Sequence, residues 1–320
     1  MDRKTKAPPA PDWQPDDTIP AERHRLTGLE PDNLLAFMAL IGLLRALETA
    51  RPAWRPRAFW DVETDPWRPI LTLAEPLTEA KISDAAADGV RALARHHAAT
   101  GDQADLKLSL GDFDALHEAA DAQGRCVLDA LCCHGATRDD GTLWPTPFAF
   151  MFGQGHQHFL TRFRKIPADE STSDVIATAL FAPWARNDRT DGFRWDPAED
   201  RRYALRALNP STDKATTQHG ANVLAAICLP LLPVTPIRRR GKTQVLTPMT
   251  RYGTRGQIEF TWPLWTRRAS LAAILALLRH PELAKESPEA ANLPQTAALM
   301  LARRISVGKY FNVTPAAPPR

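Results

Sequence analysis

The stretch Pro31-Asp32-Asn33-Leu34-Leu35-Ala36-Phe37-Met38-Ala39-Leu40-Ile41-Gly42-Leu43-Leu44-Arg45-Ala46-Leu47 decides how the rest of the chain must be read. Asp32 and Asn33 suit the positive end of a helix dipole, so a helix opens there and runs to about Thr49. Its apolar residues fall nearly all round the cylinder instead of along one stripe. Such a helix is buried, and other elements must enclose it. Gly42 costs helix stability in that interior, so a neighbouring backbone is expected to approach closely.

The enclosing elements are read outward from it. Extended runs are expected at residues 57–62, 70–74, 106–110 and, at a sheet edge because of Pro145 and Pro147, 144–150. Helices are expected at 78–99 (capped by Thr78), 112–122, 125–133, 153–164 and 171–180, and within 216–232, where Pro230 and Pro233 stop it. Asp139-Asp140-Gly141 reads as a turn, and residues 183–196 as a long irregular segment. Strands at 243–247 and 257–262 would pair across the segment between them, helices would follow at 269–278 and 296–304, and 308–313 would be extended. Helices alternate with short strands without regular βαβ order, so the expected class is α+β. The expected organisation is a flexible proline-rich arm over 1–24, an N-terminal α+β lobe over 25–150, and a C-terminal α+β lobe over 151–320 carrying a basic loop at 237–268.

The 320 residues are 44% hydrophobic and 24% charged, enough to bury a sizeable core, and the formal net charge is only +3. Cysteines occur at 126, 132, 133 and 228; the adjacent pair does not suit a disulfide framework, so a reducing, cytoplasmic compartment is expected. The charged, proline-rich start lacks a secretory apolar run. The longest apolar stretches, around 34–44 and 223–232, are too short to cross a bilayer, so no membrane partner is expected.

Charge is concentrated late in the chain. Between Ile237 and Arg268 stand Arg238, Arg239, Arg240, Lys242, Arg251, Arg255, Arg267 and Arg268, with Glu259 as the one acid. Such a patch attracts a polyanion, foremost nucleic acid. Tyr252, Gly253, Gly256, Trp262 and Trp265 are interleaved with the charges.

Other motifs carry less. Gly241-Lys242-Thr243 lacks the glycine a phosphate-binding loop needs at position 236, which is Pro236. Gly153-Gln154-Gly155-His156-Gln157-His158 lacks the third glycine of a dinucleotide fingerprint, although its glycines would let a backbone approach a phosphate or base. Neither His156 with His158 nor consecutive Cys132, Cys133 and His134 has metal-ligand spacing, so neither metal nor cofactor is expected. Asp196, Glu199 and Asp200 would suit magnesium, but the adjacent Arg201 and Arg202 point to local ion pairing. With no catalytic motif, a non-enzymatic protein is expected; a metal-dependent nuclease built on those acids, or a protein-binding scaffold, are the alternatives.

Three segments also occur in a telling order. The first is Leu26-Thr27-Gly28-Leu29, Pro31, Asn33-Leu34-Leu35-Ala36-Phe37 and Gly42-Leu43-Leu44-Arg45-Ala46-Leu47. The second is Phe193-Arg194-Trp195-Asp196-Pro197 followed by Glu199-Asp200-Arg201-Arg202-Tyr203-Ala204-Leu205. The third is His219-Gly220-Ala221-Asn222, Leu224-Ala225-Ala226 and Leu229-Pro230-Leu231-Leu232-Pro233-Val234. Together they resemble the compact large-subunit-like proteins of type I-U (I-G) CRISPR Cascade effector complexes. The resemblance implies a non-catalytic subunit of an RNA-guided DNA surveillance complex in antiviral defence. Its partners would be guide RNA, target DNA, the other effector subunits and a transiently recruited helicase-nuclease. It would touch duplex DNA beside the target, help recognise a short flanking motif and support strand separation.

The matching segments look structural, so contact residues are inferred from charge and chemistry. Arg238, Arg239, Arg240, Lys242, Arg251 and Arg255 would neutralise phosphates and set register. Gln154, Gln157, Asn187 and Asn209 would offer amides to base edges, and Tyr252 or Trp262 would stack on an unpaired base. Guide pairing would read the long sequence, leaving shape and a short motif to the protein.

Overall fold

Helix α1 (Leu34–Ala50) lies at the centre of the computed structural model, which describes residues 22–150, 158–169, 171–199, 216–307 and 310–319. Its start is set by Asn33, whose side-chain oxygen accepts from the backbone N–H groups of Leu35 (2.9 Å) and Ala36 (3.3 Å). Every residue from Leu34 to Leu47 is buried, as the all-round apolar pattern requires. Each large apolar side chain enclosed this way contributes about 1.5–3 kcal/mol.

Helices α2 (Glu79–Ala94), capped by Thr78, and α7 (His219–Cys228) pack against α1. A methyl group at Gly42 would overlap the Leu224 carbonyl, so the expected close approach is with α7. On another side Phe37 stacks on Trp262 at 5.4 Å and meets Trp265 edge-on at 6.2 Å. The indole N–H groups of these tryptophans donate to the Pro31 and Ala58 carbonyls. The helices α3 (Leu110–Ala119), α4 (Ala122–Asp129), α5 (Phe159–Asp169), α6 (Ser173–Phe181) and α8 (Leu271–Leu278) complete the set among the described residues. None of the described helices is long and apolar enough to cross a membrane.

The described strands form antiparallel sheets, so the class is α+β. One sheet has the order β1-β3-β2-β8, from β1 (Glu22–Arg25), β2 (Arg57–Asp61), β3 (Arg68–Leu73) and β8 (Ala269–Ser270). A second has the order β10-β9-β7-β6, from β6 (Thr250–Tyr252), β7 (Ile258–Trp265), β9 (Thr296–Val307) and β10 (Tyr310–Val313). Strands β4 (Thr235–Arg239) and β5 (Lys242–Leu246) make a separate hairpin.

Several expectations are corrected. Residues 296–304 are strand, not helix: Ala, Leu, Met and Arg favour helix, but β7 and β10 supply ladder partners on both sides. Residues 243–246 of the expected 243–247 strand pair with 235–238, not with 257–262, because β7 is already taken by β6 and β9. Residues 106–110 form no strand; Ser109 and Asp112 instead make a capping box at the start of α3. Residues 144–150 form turns and coil. Glu22, Arg23 and His24, expected in a flexible arm, pair with β3. One hydrophobic core takes side chains from both sides of residue 150, and β8 pairs with β2, so neither core nor sheet divides there.

Candidate nucleic-acid interface

The basic cluster divides in two when folded. Arg238, Arg239, Arg240 and Lys242 lie on the β4–β5 hairpin, where Arg239 is paired with Lys242 and the turn is Arg240-Gly241. Both turn residues have positive φ, 50° and 77°, the type I′ pattern whose twist suits a two-residue hairpin. Strand alternation puts Arg239, Lys242 and Gln244 on one face and Arg238 and Thr243 on the other. Arg238, Arg240 and Lys242 are exposed, and none of the four cations forms an ion pair among the described residues. Arg255 is exposed on the neighbouring 253–257 turn, whose Gly256 faces the Arg239 guanidinium.

Arg251, expected among the phosphate contacts, is corrected to a structural role. It is buried, pairs with Glu259 at 2.8 Å, and donates to the Lys285 and Glu286 carbonyls. Arg303 closes on the same carboxylate at 3.0 Å. The single acid of the basic stretch is thereby consumed inside the fold, leaving the hairpin cations uncompensated by it. Trp262 is fully buried against Phe37 and cannot stack on a base. Tyr252 is half-buried, with the Arg239 guanidinium 4.8 Å above its ring.

Beside the hairpin lies a cleft of about 340 Å³ lined by Trp144, Gln244, Tyr252, Gln257, Arg304 and Phe311. The Arg304 guanidinium stacks on Phe311 at 4.3 Å and donates to the Pro147 carbonyl at 3.1 Å. No carboxylate pairs with Arg304 among the described residues. Burial lowers its pKa to about 10, with Tyr252 opposing the shift, so it stays charged at neutral pH. Sequence reasoning missed Arg304 because it lies far from the basic cluster in the chain; the available signal was Arg303-Arg304 beside an apolar alternation. A second cleft of about 650 Å³ adjoins, shared by Arg138, Asp139, Asp140 and the Gly241–Gln244 side of the hairpin. Asp140 there is held down by the Thr142 hydroxyl and N–H and by nearby Arg138.

The remaining amides fall elsewhere. Asn187 is exposed on a segment whose contacts run to α7: Asp188 pairs with Thr217 and accepts from the His219 N–H at 2.7 Å. Gln154, Gln157 and Asn209 lie outside the described residues, as do Asp200, Arg201 and Arg202.

The three telling segments converge on one buried polar node. Asn33 donates to Asp196 at 3.0 Å, and Arg186 donates to the other oxygen of Asp196 at 2.7 Å. The Leu35 N–H reaches the Trp195 carbonyl. Asn222 accepts from the Phe193 N–H and donates to Thr217, which itself donates to Glu199 at 2.6 Å. Arg45 ties α1 to α7 through the Ile227 carbonyl at 2.8 Å. With both oxygens engaged and its side chain fully buried, Asp196 is a strut of the fold rather than an open metal ligand. Burial pushes the Glu199 carboxyl up to about 7, aided by nearby Asp196 and opposed by the Thr217 hydroxyl and two arginines. Burial also raises the Cys132 and Cys133 thiols, which suppresses thiolate. No cluster of metal-ligating side chains occurs among the described residues.

No family model and no curated protein matches the chain.

Proposed function

We propose that the protein is a non-catalytic, nucleic-acid-binding subunit of a CRISPR RNA-guided DNA surveillance complex. In this reading it works in the cytoplasm, contacts target DNA beside the flanking motif, and helps recruit a helicase-nuclease. The observation that carries it is the β4–β5 hairpin: Arg238, Arg239, Arg240 and Lys242 concentrated around one tight turn without carboxylate partners among the described residues. Backbone charge dominates nucleic-acid affinity, and a pre-formed hairpin offers phosphates fixed donors at little ordering cost. The order of the three segments that meet at the Asn33–Asp196 node supplies the link to large-subunit-like proteins.

Co-purification tests the reading. The tagged protein, isolated from cells that make it naturally, is expected to bring down RNA of one defined length together with further subunits. Recovery of the protein without nucleic acid would overturn the assignment.

A further inference from the structure

The cleft beside the hairpin has features that phosphate contact alone does not require. Its wall carries a charged Arg304 whose one hydrogen bond among the described residues is to Pro147. A half-buried guanidinium without a carboxylate partner attracts an anion. Gln244 and Gln257 also line it, and the side-chain carbonyl oxygens of both are buried without a hydrogen-bond partner. The orientation of Gln257 is fixed chemically, because its amide nitrogen donates to the Glu259 carboxylate at 2.9 Å, leaving its oxygen as the unsatisfied acceptor. Each of the three aromatic walls already carries a stacked guanidinium: Arg138 on Trp144, Arg239 on Tyr252 and Arg304 on Phe311.

We infer that this cleft holds a single unstacked nucleotide of a nucleic-acid strand, its phosphate on Arg304 or Arg239 and its base amino group on Gln244 or Gln257. The inference rests on the hairpin being a nucleic-acid contact and names what that contact selects. The cleft, at about 340 Å³, lies at the lower end of small-ligand sites and suits one nucleotide rather than a duplex. Guanidinium planes and aromatic rings are the surfaces on which splayed-out bases stack. Two orphaned acceptors ask for two donors: the exocyclic amino group of cytosine, adenine or guanine carries two N–H bonds, whereas thymine has only its ring N3–H to offer. A cleft of that size has no room for a base together with its pairing partner, so the bound nucleotide is unpaired.

The test is fluorescence anisotropy with the full chain and three labelled probes: oligo-dC, oligo-dT and a blunt duplex. Ser306→Trp fills the cleft from an exposed position without changing charge, and Arg304→Gln removes the anion partner. A third variant, Arg238→Ala/Arg240→Ala/Lys242→Ala, strips the hairpin and leaves the cleft intact. The expected result is a preference for oligo-dC over oligo-dT. Ser306→Trp abolishes that preference and weakens oligo-dC binding about tenfold, with duplex binding unchanged. The hairpin variant weakens all three probes. Loss in the hairpin variant, with Ser306→Trp and Arg304→Gln both matching the wild type, would overturn the cleft inference while leaving the hairpin reading intact. Unchanged binding in every variant would overturn both.

Discussion

Arg251 and Glu259 sit 2.8 Å apart, with side chains almost wholly withdrawn from water. The pair joins β6 to β7, and Arg251 also anchors the 285–286 backbone. Removing Arg251 leaves the buried Glu259 carboxylate with only the largely exposed Arg303 as a counter-ion and frees the Lys285 and Glu286 carbonyls, at a cost of about 3 kcal/mol. Arg251→Ala is therefore expected to lower the chemical denaturation midpoint severely. Arg238→Ala, at an exposed position on the hairpin, should stay within about 0.5 kcal/mol of wild type. Equal stability of the two variants would contradict the division of the basic cluster into structural and surface members.

The same substitution should act with opposite sign at two glycines. Gly42→Ala places a methyl group against the Leu224 carbonyl, where α1 and α7 leave no room, and should cost about 2 kcal/mol. Gly111→Ala, in α3 with nothing near its Cβ position, should gain up to about 1 kcal/mol from helix propensity. Urea titration of both variants checks the pair.

Buried His97 and half-buried Glu199 give opposing pH dependences. Burial lowers the His97 pKa from 6.5 to about 4, so its stabilisation is present above 6.5 and is lost as pH falls towards 4. Burial raises the Glu199 pKa from 4.5 to about 7, so its stabilisation is present below 4.5 and is lost as pH rises towards 7. Glu199→Gln cannot ionise and keeps an acceptor for the Thr217 hydroxyl. The stability of this variant relative to wild type should therefore climb between about pH 4.5 and 7 and level off beyond. Parallel stability profiles from pH 4.5 to 8 would contradict the assignment.

The elements whose signals are local were readable before folding. Asn33 and Thr78 mark helix starts because their side chains cap the residues just after them. Gly42 marked a close approach because a buried helix tolerates glycine poorly without one. Elements set by distant partners were not readable. Strand β9 has the residues of a helix and becomes strand through β7 and β10. The hairpin was missed because Arg240-Gly241 is a weaker turn signal than Asn-Gly, and Arg240 adopts positive φ without the side chain that favours it. Charge density located the hairpin cations but could not separate Arg251 from them, since only the fold brings Glu259 and Lys285 to it. Arg304 joined the site through sheet pairing alone.

The salt dependence of duplex DNA binding tests the central claim most directly. Each phosphate contact contributes roughly 0.9 to the slope of log affinity against log salt concentration. If the hairpin lies along a sugar-phosphate strand, Arg238→Ala/Arg240→Ala/Lys242→Ala should flatten that slope by about 2.7 relative to wild type. Identical slopes for the variant and the wild type would contradict the account.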